Sequence, residues 1–470
     1  MQTPWWGVIP FFTLLGCIAV FPLLPLTRHR WEQRKFQLGV ALTFGLPIAA
    51  WMWLAGDPTA VVHALIEYGQ FIVLLLSLFI ISGGIYVAGD LKARPAVNVV
   101  FLAIGAVAAS FVGTTGAAML LIRPLLKTNA EREHKVHTVV FAILVIANCG
   151  GLLTPLGDPP LFLGMLRGVP FLWTMNLIPE WAFTNGLLIL VYWALDRRAY
   201  ASERPEALAR DEAEVEPLSI HGKLNLLGFA AIICSVALLP SIDLDAIHEG
   251  HAHWYSYLPI RELVMLGVSA ASLLLGSKKT RWEDNKFSWG PIQEVAALFI
   301  GIFLAMIPAL KYLRQIAPEL PLNEITLFAF TGGLSSVLDN APTYVTFFEM
   351  ARELPFAGTR IAGVPELYLV SVSLGSVFCG AITYIGNGPN FMVKAVAEGS
   401  GVKMPSFGGY IARWTVPFLV PILVAMVMLF IAQAWPVRIA GAVIGLVIAA
   451  MAVRTALHYK EPSVAPVTER

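Results

Sequence analysis

The chain has 470 residues, 57% of them hydrophobic and only 13% charged, with a formal net charge of +1 at neutral pH. Soluble domains carry about 25% charged residues, so the deficit argues for immersion in a lipid bilayer. The near-neutral balance excludes a nucleic-acid partner.

The first 26 residues are apolar but lack a basic leading segment and a small-residue cleavage site, so they are expected to stay as a first span. Further apolar runs predict spans near 36–54, 68–88, 137–165, 177–196, 224–241, 259–277, 291–310, 366–397, 411–433 and 437–455. With 6–26 that makes about eleven, most of them near the ~20 residues that one crossing requires, with 137–165 and 366–397 longer. Two other apolar stretches, 96–126 and 322–351, hold about thirty residues each, too few for two ordinary crossings apiece.

Loop charge assigns sides, because Lys and Arg concentrate on the cytoplasmic face. Basic residues cluster at 28–35, at Lys92 and Arg94, at Lys127, Arg132 and Lys135, at 197–210 and at 278–286. Segment 55–67 carries Asp57 and Glu67 but no Lys or Arg, and 242–258 carries acids and histidines but again no Lys or Arg. With Lys92/Arg94 and Lys127/Arg132 on one side, 96–126 becomes a re-entrant hairpin with its tip near Gly113-Thr114-Thr115-Gly116. The same counting makes 322–351 a hairpin from the opposite side, its tip near Asp339-Asn340-Ala341-Pro342. Lys311, Arg314, Arg352 and Arg360 then fall outside, against the rule. The N-terminus is expected outside and the C-terminus in the cytoplasm.

Two of the spans are interrupted by Gly and Pro: 148–160, which includes Gly157-Asp158-Pro159-Pro160, and 380–390, which includes Gly386-Asn387-Gly388-Pro389-Asn390. An offset of 229 lays Gly151 on Gly380, Gly157 on Gly386, Asp158 on Asn387 and Pro160 on Pro389. An offset of 226 lays Ser110 on Ser336, Gly113 on Asp339 and Thr114 on Asn340. The chain therefore divides into a first repeat (1–200), a cytoplasmic linker (201–223), a second repeat of opposite orientation (224–435) and a last span with its tail (436–470). Backbone groups freed by Gly and Pro find no water in hydrocarbon and survive only along a protein-lined cavity. Paired breaks in inverted halves point to a transporter's binding site. The fold class expected is an all-α polytopic membrane protein with broken helices and two re-entrant hairpins.

Asp158 is the sharpest residue, since a carboxylate at membrane depth costs about 2.5–3.5 kcal/mol even on lenient scales and normally faces a pathway or a partner. Its alternative is an N-cap, for Pro159-Pro160 fits the start of a half-helix. Asp339, beside Asn340 on the second tip, is the corresponding acid, with a turn-capping role as its alternative. Two neighbouring carboxylates share protons as a pair, which suits proton exchange. Thr114, Thr115, Asn148, Thr154, Gly157, Thr343, Thr383, Asn387 and Asn390 bring hydroxyls, amides and free backbone to the same four places. Any one such polar group is more often helix–helix glue than ligand. Half-helix N-termini favour anions and C-terminal ends favour cations, so the geometry admits either charge of substrate.

Other features carry less. The run His248-Glu249-Gly250-His251-Ala252-His253 has no helical framing and reads as a solvated loop rather than a metal site. Lys394 and Glu398, one turn apart, are expected to pair. Trp5, Trp6, Trp51, Trp53, Trp254, Trp414 and Trp435 sit at span ends as interfacial anchors. Cys17, Cys149, Cys234 and Cys379 lie in apolar stretches without ligand-type spacing, which speaks against disulfides or zinc. No His-Glu-x-x-His or Gly-x-Ser-x-Gly motif supports an enzyme.

The Gly-Asp-Pro-Pro break, the Leu-Asp-Asn-Ala-Pro tip at 338–342 and the Gly-Asn-Gly-Pro-Asn counterpart resemble the ion transporter superfamily, over about Gly84 to Gln433. The chain resembles both its NhaD-type sodium–proton antiporters and its citrate transporters. The resemblance implies a homodimer in the bilayer of a bacterial-type inner membrane, with a scaffold and a moving part that shifts like an elevator. It implies a site at two hairpin tips and two breaks, with no organic cofactor and with sodium and protons as the transported or coupling ions. The Ser-Asn-Thr triplets of the dicarboxylate carriers are replaced here by Gly-Thr-Thr at 113–115 and Leu-Asp-Asn at 338–340. Carrying over the antiporter roles makes Asp158, Asp339 and Asn387 the sodium ligands. The alternative is sodium- or proton-coupled uptake of citrate or another small anion, bound sodium supplying positive charge.

Overall fold

The structure, a computed structural model, describes residues 3–22, 24–31, 33–213, 215–248, 250–356 and 358–459. The protein is an all-α polytopic membrane protein. Seven helices among the described residues are long and apolar enough to cross a bilayer: Arg34–Leu54, Pro58–Gly83, Pro95–Val112, Trp173–Ala201, Gly290–Glu319, Phe407–Ile431 and Trp435–His458. Shorter apolar helices stand beside them at Trp5–Val20, Val136–Leu152, Leu224–Leu238 and Glu366–Ile382.

In chain order, α1 (Ile9–Val20), α2 (Pro25–Trp31), α3 (Arg34–Leu54) and α4 (Pro58–Gly83) lead into the strand β1 (Tyr86–Asp90). Then follow α5 (Pro95–Val112), α6 (Thr114–Thr128), α7 (Val136–Val145), α8 (Pro159–Leu166) and α9 (Ile178–Ala201). The linker forms α10 (Pro205–Ala213) and β2 (Glu216–His221). The second half contains α11 (Leu224–Leu238), α12 (Leu244–His248), α13 (Ile260–Leu275), α14 (Gly290–Ile316), α15 (Glu324–Ser335), α16 (Asn340–Arg352), the two-residue strands β3 (Arg360–Ile361) and β4 (Val364–Pro365), α17 (Glu366–Cys379) and α18 (Gly388–Gly399). A run with two π-helical stretches holds α19 (Phe407–Tyr410) and α20 (Val420–Met426), and α21 (Trp435–His458) ends it.

Proline sets many of these starts. It stands in the first turn of α4, α5, α8, α9, α14, α18 and α21, where the missing N–H costs nothing and φ is already helical. One boundary differs from the sequence reading. The third span is not 68–88 but α4, because Asp57 caps the helix by accepting from Ala60 N at 3.2 Å and two of its polar residues near 68–70 find partners. Gln70 donates to Ser241 Oγ at 2.8 Å and Tyr68 to the Ala296 carbonyl at 2.9 Å. A second difference is α13. Its 16 residues start on the buried Arg261–Glu262 pair, so it is shorter and less apolar than the expected span at 259–277.

The helices sort into two groups. α1, α3, α4, α11, α13 and α14 form one; α14 runs so close to α3 that a Cβ on Gly301 would collide with the Ala41 carbonyl. Phe71 of α4 stacks on Phe299 of α14, ring centroids 5.0 Å apart. The second group holds α5–α9 and α15–α21. In it the half-helix after each break packs on the hairpin arm of the other repeat, α8 on α16 and α18 on α6. The hairpin stretches turn back where expected: α5 ends and α6 begins around Gly113, at φ +83°, a conformation that favours glycine.

The linker docks onto the base of the first hairpin. β2 pairs antiparallel with β1, Tyr86 opposite His221 and Asp90 opposite Glu216. Both oxygens of Asp211 accept from the Ala93 N–H at 3.0 Å, and Arg94 pairs with Glu212 at 2.6 Å. Burial lifts the Asp211 carboxyl to about 6, the Ala93 hydrogen bond opposing it. Nearby, buried Arg132 reaches Asp196 of α9 at 2.6 Å, and His137 meets the same oxygen at 2.8 Å.

The four cations expected on the outer side, against the loop-charge rule, are all engaged. Lys311 pairs with Asp57, Arg314 and Arg352 reach Glu349, and Arg360 donates to the carbonyls of Arg352, Leu354 and Gly363. Of the histidine-rich loop, Glu249 lies outside the described residues, and His253 stacks on Tyr255 at 5.1 Å.

Candidate functional site

The first break starts after α7, where Asn148 leaves helical geometry (φ −142°, ψ −84°), and ends where Pro159 opens α8. Between them several freed carbonyls find protein donors. Gly150 O accepts from Ser110 Oγ at 2.5 Å and from Trp181 Nε1 at 3.0 Å. Cys149 O accepts from Asn185, Leu153 O from Thr174, and Gly157 O from the Thr114 N–H at 2.8 Å. This accounting is what membrane depth demands, since an unpaired backbone group there costs several kcal/mol.

The second break repeats the device. Thr154 Oγ1 donates to the Ser110 carbonyl, and Thr383 Oγ1 donates to the Ser336 carbonyl at 2.5 Å. These are the positions that the 229 and 226 offsets align. Each threonine oxygen in turn accepts a backbone N–H two residues on, from Leu156 and Ile385. A Cβ on Gly157 would collide with the Gly151 carbonyl, and one on Gly386 would lie 2.6 Å from the Gly380 carbonyl. Each break is thus a closed loop stapled to its own hairpin.

Asp158 sits where the four pieces meet, 1% exposed. Its Oδ1 accepts from Thr114 Oγ1 of the first hairpin tip at 3.0 Å and from Asn387 of the second break at 3.4 Å. Its Oδ2 accepts from Asn340 Nδ2 of the second hairpin tip at 2.5 Å. Asp158 starts α8 in extended geometry (φ −138°, ψ 141°), yet its side chain makes no capping hydrogen bond. The carboxylate is spent on the cluster. The amide oxygen of Asn340 is buried and has no partner among the described residues.

The remaining residues predicted for the site have other placements. Asp339 accepts from Ala341 N at 3.1 Å, capping α16, and borders the cavity. Thr115 borders the same cavity and Thr343 bonds back to the Asp339 carbonyl at 3.0 Å. Asn148 donates to Asn390 at 2.6 Å and accepts from Asn387 at 3.2 Å. Asn390 donates to the carbonyls of Gly380 and Thr383. An amide chain through Asn148, Asn387 and Asn390 therefore joins the two breaks and orients Asn387 toward Asp158. Of the predicted residues, Thr114, Asn340 and Asn387 meet at Asp158, Thr115 and Asp339 border the cavity, and Asn148, Asn390, Thr154, Thr343 and Thr383 bond elsewhere in the breaks and hairpins. Ser110 and Ser336, whose carbonyls tie the breaks to the hairpins, were visible only as aligned positions in the repeat.

A cavity of about 860 Å³ opens beside Asp158 between the two helix groups. Its wall includes Thr114, Asp158, Asp339 and Asn387 on one side and Phe71, Phe299 and Ile302 on the other. Arg34, Glu294, Lys394 and Glu398 also border it. Both cations are neutralised: Arg34 pairs with Glu294 at 2.6 Å and Lys394 with Glu398 at 2.9 Å. Lys394 lies over the Tyr384 ring, 5.5 Å from its centroid. Among the described residues no Lys or Arg contacts Asp158. Asp158 and Thr114 bring a carboxylate and a hydroxyl into contact, and Asn340 keeps an unpartnered amide oxygen; oxygen donors of this kind suit a hard cation.

Compared with known families, the chain matches one described as "Putative citrate transport" over residues 1–431. No curated protein matches it.

Proposed function

The chain belongs to the putative citrate transport family, and from that premise we propose that it is a secondary active transporter whose driving cation binds at Asp158, exchanging sodium for protons. The buried, unpartnered Oδ1 of Asn340 beside the Asp158 carboxylate carries this reading. Burying such an oxygen without a partner costs about 1–3 kcal/mol, and a bound cation removes that cost. Sodium would be held by Asp158, Thr114 and Asn340, with Asn387 steadying the carboxylate. A proton taken by the same carboxylate displaces the cation, so one acid serves both ions in turn and the exchange is coupled.

The cavity supports alternating access. It separates the α3–α4–α14 group from the group bearing the tips and breaks, and it reaches Asp158 from the end marked by Arg34 and Lys394. With the basic segment at 28–35 in the cytoplasm, this is an inward-open state. The tips and breaks would move together as the elevator against the fixed group, in a homodimer of a bacterial-type inner membrane.

A second reading is cation-driven citrate uptake. The family description favours it, and the cavity of about 860 Å³ falls within the roughly 300–1,000 Å³ usual for organic ligands. The partners of Asp158 are a hydroxyl and two amides, with no Lys or Arg among the described residues to clamp an organic anion there, which favours sodium–proton exchange. Purified protein in liposomes decides between them. Sodium-driven proton movement that disappears in Asp158→Asn is the expected result. Labelled citrate uptake without any sodium–proton exchange would replace the first reading with the second.

A further inference from the structure

The ion pairs at the two ends of the molecule differ in kind. At the end away from Arg34, Arg167 closes α8 with its side chain buried; its Nη2 donates to Glu67 of α4 at 2.8 Å and its Nε to Glu349 of α16 at 3.1 Å. Glu349, also buried, accepts from Arg314 Nε of α14 at 2.9 Å. The chain Glu67–Arg167–Glu349–Arg314 therefore begins and ends on the α4–α14 group, with its middle pair on the group that carries Asp158. Two of its links cross the boundary. At the Arg34 end, Arg34, Gln37 and Glu294 bond within α3 and α14, while Lys394 and Glu398 bond within α18. Both sets border the open cavity, and neither crosses it.

We propose that Glu67–Arg167 and Arg314–Glu349 form a breakable latch that holds the cavity closed at the Arg167 end. Arg34–Glu294 and Lys394–Glu398 are its unengaged counterpart, ready to exchange partners across the boundary when the Asp158 group shifts. The inference rests on the alternating-access reading above. Buried ion pairs are weak evidence for stability, because desolvation offsets their attraction. A switch profits from that balance: pairs lost at one end are replaced by pairs at the other, and the two states stay close in free energy. Alternating charges on α4, α8, α16 and α14 also fix one register of closure, since a shifted register sets like charges together.

The test uses the full chain in oriented vesicles. Val337, which borders the cavity, becomes the reporter as Val337→Cys after Cys17 and Cys234 are replaced by Ala. A membrane-impermeant maleimide reports which face reaches it. Glu67→Gln and Arg314→Gln should each raise labelling from the Arg167 face by on the order of tenfold. Asp57→Asn, which removes the Lys311 pair lying wholly inside the α3–α4–α14 group at the same end, should leave labelling unchanged. An equal rise with Asp57→Asn, or no rise with either glutamine variant, overturns the latch. Should those variants fold poorly, Glu67→Cys with Arg167→Cys, bridged by a bis-methanethiosulfonate reagent, gives a second readout. The bridge should stop labelling from the Arg167 face and stop transport until reduced; transport through the bridged protein overturns the proposal. Labelling from one face only, in every variant and at every sodium concentration, overturns alternating access itself and the latch with it. Two-sided labelling that is indifferent to the variants overturns the latch alone.

Discussion

Asn340 gives its amide hydrogen to Asp158 at 2.5 Å and keeps its own Oδ1 buried without a partner. The two residues are 182 positions apart, one on a hairpin tip and the other in the opposite repeat's break. On the proposed reading, the neutral amide steadies the carboxylate through its N–H and keeps its oxygen for a cation.

Removing that amide should weaken cation binding without emptying the site. Asn340→Ala loses a hydrogen bond to a charged group, worth about 1.5–3 kcal/mol, so sodium affinity should fall roughly 10- to 100-fold. Asp158→Asn should abolish cation binding. Isothermal titration with sodium in detergent measures both, and equal affinity in Asn340→Ala and wild type would remove Asn340 from the site.

The threonine staples should behave as a symmetric pair. Thr154→Val and Thr383→Val each leave a serine carbonyl, that of buried Ser110 or of half-buried Ser336, short of a donor. Each should cost about 1–3 kcal/mol of stability, read as a lower thermal midpoint. A large loss in one and none in the other would show that the two breaks are not built alike.

Gly157→Ala should close transport while sparing helix content. The added methyl would meet the Gly151 carbonyl, pushing apart the loop that positions Asp158 and the Thr114 N–H. Circular dichroism close to wild type with lost sodium–proton exchange is the expected pair of results. Normal exchange would mean that the loop has slack.

Asp211 gives a pH signature away from the bilayer. Its folded carboxyl titrates near 6 against an ordinary value of 3.8, so between these limits the folded state holds more protons than the unfolded one. Stability from this group is therefore present below about pH 4 and lost as pH rises through 6. Asp211→Asn keeps an oxygen for the Ala93 N–H and should flatten that slope. Thermal midpoints from pH 4 to 8 check it; an unchanged slope would mean that Asp211 is not its source.

Much of this site was legible in the residues. Gly and Pro at 150–160 and 380–389 announced the breaks, because in hydrocarbon such residues are kept only where the protein re-satisfies the backbone. Asp158 stood out because an acid at that depth needs a partner. The adjacent pair at the second tip was less legible. Asp339 and Asn340 are both plausible ligands by type, but Asp339 (φ −57°, ψ 137°) caps α16 while Asn340 turns inward to Asp158. One residue of turn geometry decides which of them touches the carboxylate. Arg167 and Glu349 carried no signal at all; each looks like an ordinary charge at a helix end until α4, α8, α14 and α16 are set side by side.

By itself the sequence determined an all-α membrane chain, the place where its helices fail, and the acid that failure shelters. These follow from local chemistry: apolar length, the missing donor of proline, the cost of a carboxylate in lipid. Only the tertiary structure decided which groups complete the cluster and which ion pairs join the two helix groups. Those partners lie from 35 to 229 residues apart, and their meeting is set by how packed helices cross, which no local pattern records.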